Sequence, residues 1–352
     1  MGFLSKKVVA IPIIIILLFM IPAPVLAAQA SFTLAKSYYT VDDVYNGMDA
    51  VPFISNSRFF VPVRYTALVC GISQNNITWD NTNQIVSLVT DEGTEIRLQV
   101  GLKKIYVADT ITAMDVAPVN INGRVYLPLR YIAEALHRRV GWDADTMTVT
   151  VEMEDYLARA LEEIQAQRYD VAIKLCDKMS EISPNLLKSL LIRGIAQYQQ
   201  KDYAGAILSY DSALTMNPDI PLAYLLRAEA RWPLYLTQTE KQIELHVIID
   251  DMTKAIELTD DEMYYFRRAG LYNYSRDYDK AIADCDKAIS LDEQFKEAYY
   301  RRATSYFLRD GKEAFSTELT AILDTFPDDP WAVRCIDLIE KGVNITMDVS
   351  VW

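Results

Sequence analysis

Residues 188–219 read KSLLIRGIAQYQQKDYAGAILSYDSALTMNPD, one helix–turn–helix unit closed by a proline. Small residues stand at Gly194, Ala206 and Ala213, where two helices can approach closely, and Pro218 ends the unit. The same marks return at a fixed interval of 34 residues. Ala160, Gly194 and Ala228 keep it, as do Ala172 and Ala206, Pro184 and Pro218, and Ala269 and Ala303. A period of this length marks stacked supersecondary units, none of which can bury its apolar face alone.

Working outward, the period divides residues 153–329 into about five hairpins: 153–186, 187–220, 221–261, 262–295 and 296–329. The third is seven residues too long, and the excess falls near Trp232-Pro233-Leu234-Tyr235-Leu236-Thr237-Gln238-Thr239. Pro233 is expected to kink or end its helix. Ala314 stands one residue early in the fifth unit, which weakens the reading of its second helix. Residues 330–342 read as a capping helix stopped at Gly342. Residues 343–352 alternate as a strand would and form a C-terminal tail.

The small-residue spacing, the tyrosines of RYDVAI, DYAGAI and DYDKAI, and the closing prolines resemble the tetratricopeptide (TPR) family. The resemblance implies an all-α solenoid that binds peptides or proteins. Transferred by register, its inner face would present Leu191, Tyr198, Leu225, Trp232, Phe266, Tyr274, Tyr300 and Phe307 as a peptide-binding groove. Aromatic side chains there would give large contact area at low entropic cost.

Residues 31–152 carry a different duplication. RFFVPVRYTA at 58–67 matches RVYLPLRYIA at 124–133, an offset of 66, and Met48, Asp49 and Pro52 match Met114, Asp115 and Pro118. Trp79-Asp80 answers Trp142-Asp143, each before an alternating stretch. Each copy reads as strand, turn, short helix and strand. Asn122-Gly123 supplies a hairpin turn, and Pro62 and Pro128 open the helices. The fold class is therefore an α+β domain of two related halves followed by the helical repeats. The segment NGRVYLPLRYIAEALHRRVGWDADTMTVTV resembles the copper amine oxidase N-terminal-like domain of exported bacterial proteins. That resemblance implies a non-catalytic accessory or stalk module.

Residues 1–30 read as a signal peptide. Lys6 and Lys7 precede an apolar run, and Pro22 and Pro24 precede Ala28-Gln29-Ala30, a small-x-small cleavage pattern. Left uncleaved, the run could also anchor the chain in a membrane. Either way the protein is expected outside the cytoplasmic membrane, exported or at the cell surface.

Composition sets the remaining bounds. The chain has 352 residues, 51% hydrophobic and 24% charged, with a net charge of −13. The excess acid lies in residues 153–352, which hold 35 acidic and 23 basic side chains. Nucleic acid is a poor partner for such a surface. A basic peptide is electrostatically plausible, although acid that merely keeps the chain soluble explains the count as well. The four cysteines form no CxxC pair, and Cys176 and Cys285 fall on helical packing faces. The two histidines, His137 and His246, have no partner at metal-ligand spacing. No phosphate loop, nucleophile elbow or HExxH motif occurs. Acid pairs such as Asp42-Asp43 and Asp250-Asp251 are adjacent in sequence and would point apart on a helix. Trp79 and Trp142 could stack on sugar rings, but their place before a strand in both copies favours packing. We therefore expect no enzyme, cofactor or metal, and a protein or peptide ligand. The alternative is a binder of cell-wall polysaccharide acting through residues 31–152.

Overall fold

The computed structural model describes residues 28–237 and 244–343. The apolar leader run lies outside the described residues, as do positions 238–243 of the third-hairpin excess and the alternating tail from 344 onward. Among the described residues no helix is long and apolar enough to cross a membrane. The chain divides into two compact units, one up to residue 200 and one from residue 201.

In the first unit, fourteen described strands come in two sets of seven. The first set is β1 (Gln29–Thr33), β2 (Tyr38–Val41), β3 (Val44–Gly47), β4 (Phe53–Ser55), β5 (Arg58–Pro62), β6 (Ile77–Asp80) and β7 (Ile85–Val89), with helix α1 (Val63–Val69) after β5. The second is β8 (Glu95–Gln99), β9 (Lys104–Val107), β10 (Thr110–Ala113), β11 (Val119–Ile121), β12 (Arg124–Pro128), β13 (Val140–Asp143) and β14 (Thr148–Glu152), with helix α2 (Leu129–Ala135) after β12. Each copy is thus larger than the sequence match, because β1–β3 and β8–β10 share only their alternation. The turn at Asn122-Gly123 has positive φ at both residues, as does its counterpart Asn56-Ser57, the geometry of a two-residue hairpin.

The copies exchange strands. One sheet runs β13-β14-β1-β2-β3 and the other β10-β9-β8-β7-β6. Each is built from the end of one copy and the start of the other. The third sheet, β11-β12-β5-β4, carries the seam. There Val61 faces Leu127, its equivalent 66 residues on, while Phe60 faces Pro128 and Pro62 faces Tyr126. A pseudo-twofold axis therefore passes between Val61 and Leu127. Both are fully buried, as are Phe32, Leu88, Ile96, Leu98, Leu129 and Ile132 around them. One boundary shifts from the sequence reading: β1 begins at Gln29, and Ala28 and Ala30 are buried. Residues 29 and 30 pair with β14, as does the rest of β1, from Gln29–Glu152 to Thr33–Thr148.

Three helices complete this unit: α3 (Tyr156–Gln165), α4 (Tyr169–Ile182) and α5 (Leu187–Gln199). Only three residues separate β14 from α3, and Asp155 caps that helix by accepting from Ala158 N at 2.9 Å. Helix α4 is tied back to the sheets. The Tyr39 hydroxyl donates to Ile182 O, Ser183 Oγ to Asn46 Oδ1 at 3.1 Å, and Asn185 Nδ2 to Tyr45 O at 2.8 Å. Lys178 pairs with Asp91 at 2.5 Å and lies over the Tyr156 ring. Gly71, at φ +93°, lies so close to Tyr156 that a Cβ there would overlap the Tyr156 hydroxyl. The first hairpin is therefore packed as part of the α+β body.

In the second unit the described helices are α6 (Tyr203–Met216), α7 (Pro221–Thr237), α8 (Leu245–Leu258), α9 (Glu262–Tyr274), α10 (Tyr278–Leu291), α11 (Lys296–Asp310), α12 (Lys312–Thr325) and α13 (Pro330–Glu340). Helix α7 runs through Pro233 to Thr237, so the proline does not end it. Helix α12 is regular despite the early Ala314, because Phe315, Leu319 and Ile322 bury fully on one stripe. The small positions Ala228, Ala269, Ala281, Ala288 and Ala303 have no solvent exposure, as close helix approach requires. Asp329 caps α13 by accepting from Trp331 N and Ala332 N at 3.1 Å, and Gly342 ends it at φ +68°.

Candidate functional site

The eight groove residues fare unequally. Leu191, on α5 of the first unit, is 1% exposed. On α7 of the second unit Leu225 is 3% and Trp232 7% exposed. These three are core side chains and cannot form a binding surface. Leu225 and Trp232 share a cluster with Ile248, Met252 and Leu271, and Tyr274 packs edge-on to Trp232 at 4.9 Å. Tyr198 is half-buried on α5. Tyr300 donates its hydroxyl to Asp329 at 2.5 Å and packs on Trp331, and Phe307 packs on Phe315. Phe266 meets Phe295 at 5.0 Å and the Arg301 guanidinium at 3.8 Å. Register alone did not fix the depth of each side chain.

Arginines stand beside some of these rings. Arg301 donates to Phe266 O at 2.8 Å, and burial lowers its pKa to about 10. Beside it, the carboxylate of buried Glu229 lies 3.5 Å from Arg267; its Oε1 accepts no hydrogen bond, and burial raises its pKa despite the arginine. A second arginine set keeps the repeat spacing: Arg193, Arg227, Arg268 and Arg302 each precede the small residue of their helix. Each reaches a carboxylate sixteen residues away. The pairs are Arg193–Asp177 (3.1 Å), Arg227–Asp211 (2.7 Å), Arg268–Asp284 (2.8 Å) and Arg302 with both Asp286 (2.8 Å) and Glu318 (2.9 Å). Arg227 and Arg231 also hold buried Asp251, both at 2.5 Å. The sequence signal for this ladder was available in LIRG, LLRA, FRRA and YRRA.

A concavity of about 620 Å³ opens on the first unit. One wall is Ile54, Phe59 and Trp142, with Phe59 and Trp142 ring centres 5.6 Å apart. The lining also holds Arg58, Asp115 and Tyr131. Arg58 pairs with Asp115 at 2.5 Å, and Tyr131 donates to the same carboxylate, which these two partners hold below its usual pKa, the tyrosine first. The pseudo-dyad repeats the arrangement: Arg124 pairs with Asp49 at 2.5 Å, and Tyr65 donates to Asp49 at 2.9 Å. Each arginine crosses to the aspartate of the other copy. The sequence match contained all six residues without showing that they cross. Trp79 and Trp142 are 40% and 49% exposed on β6 and β13, the edge strands of their sheets. Each is thus only partly packed, Trp142 against Phe59.

Elsewhere the described residues bring no three His, Cys, Asp or Glu side chains together as a metal site. Copper, which the name of the domain family carries, finds no such donor group among the described residues. His137 is the single imidazole of the first unit, and Cys70 is a buried thiol that burial pushes up to about 12. His246 pairs at the surface with Glu244. Asp42 and Asp43 form the turn between β2 and β3.

Residues 40–151 match the copper amine oxidase N-terminal domain family. The helical half is similar to tetratricopeptide repeat proteins. Tetratricopeptide repeat protein 13 of Homo sapiens is 28% identical over 165 residues, 44% of this chain and 18% of its own. A TPR repeat-containing protein of Methanocaldococcus jannaschii is 23% identical over 47% of this chain and 30% of its own. The chain thus spans less than a third of the length of these relatives. Among solved structures, the MamA protein aligns over 55% of this chain and 96% of its own at 19% identity, with a TM-score of 0.43.

Proposed function

We propose that this chain, a tetratricopeptide-repeat protein carrying a copper amine oxidase N-terminal-type module, is a non-enzymatic adaptor that captures a peptide or protein segment on the first-helix face of its repeats. The observation that carries the reading is the half-buried set Phe266, Tyr274, Tyr300 and Phe307 on α9 and α11. Phe266 lies under the half-buried Arg301, giving an aromatic platform with a fixed cation beside it. Such rings bind by desolvation, at little entropic cost.

A specifically basic ligand has less support. Asp211, Asp251, Asp284, Asp286 and Glu318 are already paired with arginines. The leader pattern of Lys6, Lys7 and the apolar run supports an exported or cell-surface location, with the first unit serving as spacer or attachment.

The test is selection of a displayed random peptide library on the full chain, followed by affinity measurements on Phe266→Ala and Tyr300→Ala. We expect enriched peptides to lose about tenfold or more in affinity with each variant. No enrichment, or equal binding by both variants with unchanged melting, would remove the peptide assignment.

A further inference from the structure

We propose that the concavity between Phe59, Trp142 and the Arg58–Asp115–Tyr131 cluster binds a neutral oligosaccharide built of equatorially substituted pyranose rings. This goes beyond the peptide reading and stands on the other unit, so either can fail without the other.

Size and openness come first. A volume of about 620 Å³ lies within the range of small-molecule sites, and the concavity opens to solvent, so a chain of sugars can enter it. The wall chemistry follows. Trp142 is half exposed, Phe59 is tilted 57° to it, and Ile54 adds an exposed aliphatic patch. A pyranose with equatorial hydroxyls offers axial C–H bonds to an aromatic face and turns its hydroxyls outward. Those hydroxyls can reach the polar part of the lining, where a carboxylate, a guanidinium and a phenol provide both acceptors and donors.

Charge narrows the class. Arg58 and Asp115 cancel at 2.5 Å, and Arg130 faces Glu134 at 3.6 Å. Each arginine of the lining thus has a carboxylate within 4 Å, and neutral hydroxyls can bond to both members of such an ion pair.

The pseudo-dyad supplies an internal comparison. Across it the arginine, aspartate, tyrosine and tryptophan are repeated as Arg124, Asp49, Tyr65 and Trp79. The polar cluster is therefore part of how the fold closes. The wall is not repeated: Phe59 becomes Val125, Ile54 becomes Asn120 and Gly141 becomes Thr78. Folding does not require the extra apolar surface, since the mate lacks it. An aromatic pair left open to solvent on one side only points to a ligand.

The full chain would be titrated with cellohexaose and chitohexaose, followed by tryptophan fluorescence and calorimetry. We expect saturable binding of at least one, with a Kd between about 10 μM and 1 mM. Trp142→Ala and Phe59→Val should weaken it by about tenfold or more, and Trp79→Ala should leave it within about twofold. Phe59→Val installs the residue the mate already tolerates, which guards against a merely unfolded variant; its melting should match the parent. A second arm uses insoluble peptidoglycan sacculi. Capture competed by the hexaoses assigns the glycan to a wall polymer, and hexaose binding without capture assigns it to a soluble glycan. No signal with either hexaose at about 10 mM, or equal losses from Trp79→Ala and Trp142→Ala, would overturn the proposal.

Discussion

Gly71→Ala should unfasten the first helical hairpin from the α+β body. Two costs act at this position. The backbone sits at φ +93°, where a side chain costs roughly 1–2 kcal/mol. The new methyl would also overlap the Tyr156 hydroxyl, and forcing atoms into a packed site costs typically 1–3 kcal/mol. Tyr156 is buried, and its ring is covered by Lys178, so it has little room to retreat. Together we expect a loss of about 3 kcal/mol, roughly 6–12 °C in Tm for a body of this size. Tyr156→Phe removes the overlapping atom and keeps the ring. If the overlap is the cause, the double variant should recover about 1–2 kcal/mol relative to the sum of the single ones. Thermal and urea unfolding supply the numbers. Hydrogen exchange locates the effect, with opening in α4 and none in α9 or α10. A Gly71→Ala loss below about 0.5 kcal/mol, or strict additivity with Tyr156→Phe, would refute the packing argument.

Two further outcomes follow from buried groups. Asp251→Ala should cost about 3–5 kcal/mol, because it takes from Arg231 and Arg227 the buried carboxylate they share and leaves Arg227 with Asp211 alone, while exposed Asp250→Ala should stay within about 0.5 kcal/mol. Denaturant titration of the two variants decides it, and similar small losses would mean that the arginines find water instead. The first unit should also lose stability at alkaline pH. Burial pushes the thiols of Cys70 and Cys176 up to about 12, whereas an unfolded thiol releases its proton near pH 8.5. The folded form holds more protons in that window, so the contribution is complete below about pH 8.5 and is lost as pH rises toward 12, by up to about 3 kcal/mol per pH unit for the pair. Urea midpoints from pH 8 to 10.5 test this; a slope unchanged by Cys70→Ala and Cys176→Ala assigns the loss to other groups.

The helical half was legible because its constraints are local. A small residue where helices touch and a proline after each second helix recur in the residues themselves, so boundaries such as α9 and α10 could be read from Ala269 and Ala281. In the α+β half the copies were legible only where a turn or helix start fixes residue type, as at Asn122-Gly123 and Pro128. Strands β1–β3 and β8–β10 need only alternate, and alternation does not say which strand is the neighbour. The pairing of β14 with β1 joins residues more than a hundred positions apart, which no local pattern encodes. The crossing of Arg58 to Asp115 follows from that exchange and was hidden for the same reason. The half-exposure of Trp142 was hidden because a strand signal does not distinguish an edge from a centre. On the edge strand β13 its ring is half exposed.

The exchange of strands also bears on where a leader would be cut. Ala28-Gln29-Ala30 fits a small-x-small pattern, and cutting after it would leave Ser31 first. That cut would remove Ala30, which is fully buried, and with it the pairings Gln29–Glu152 and Ala30–Val151. It would also take away Ala28 O, which accepts from Met153 N at 2.7 Å just before α3. Each lost backbone bond costs about 1 kcal/mol, and burying the freed groups of β14 costs more. The same sequence offers Val25-Leu26-Ala27, another small-ended site, three residues earlier. Cutting there leaves the whole of β1 in place. We therefore expect any processed form of the chain to begin at Ala28, as read by N-terminal sequencing. A mature chain starting at Ser31 with undiminished melting would show that the first residues of β1 do not hold the two copies together.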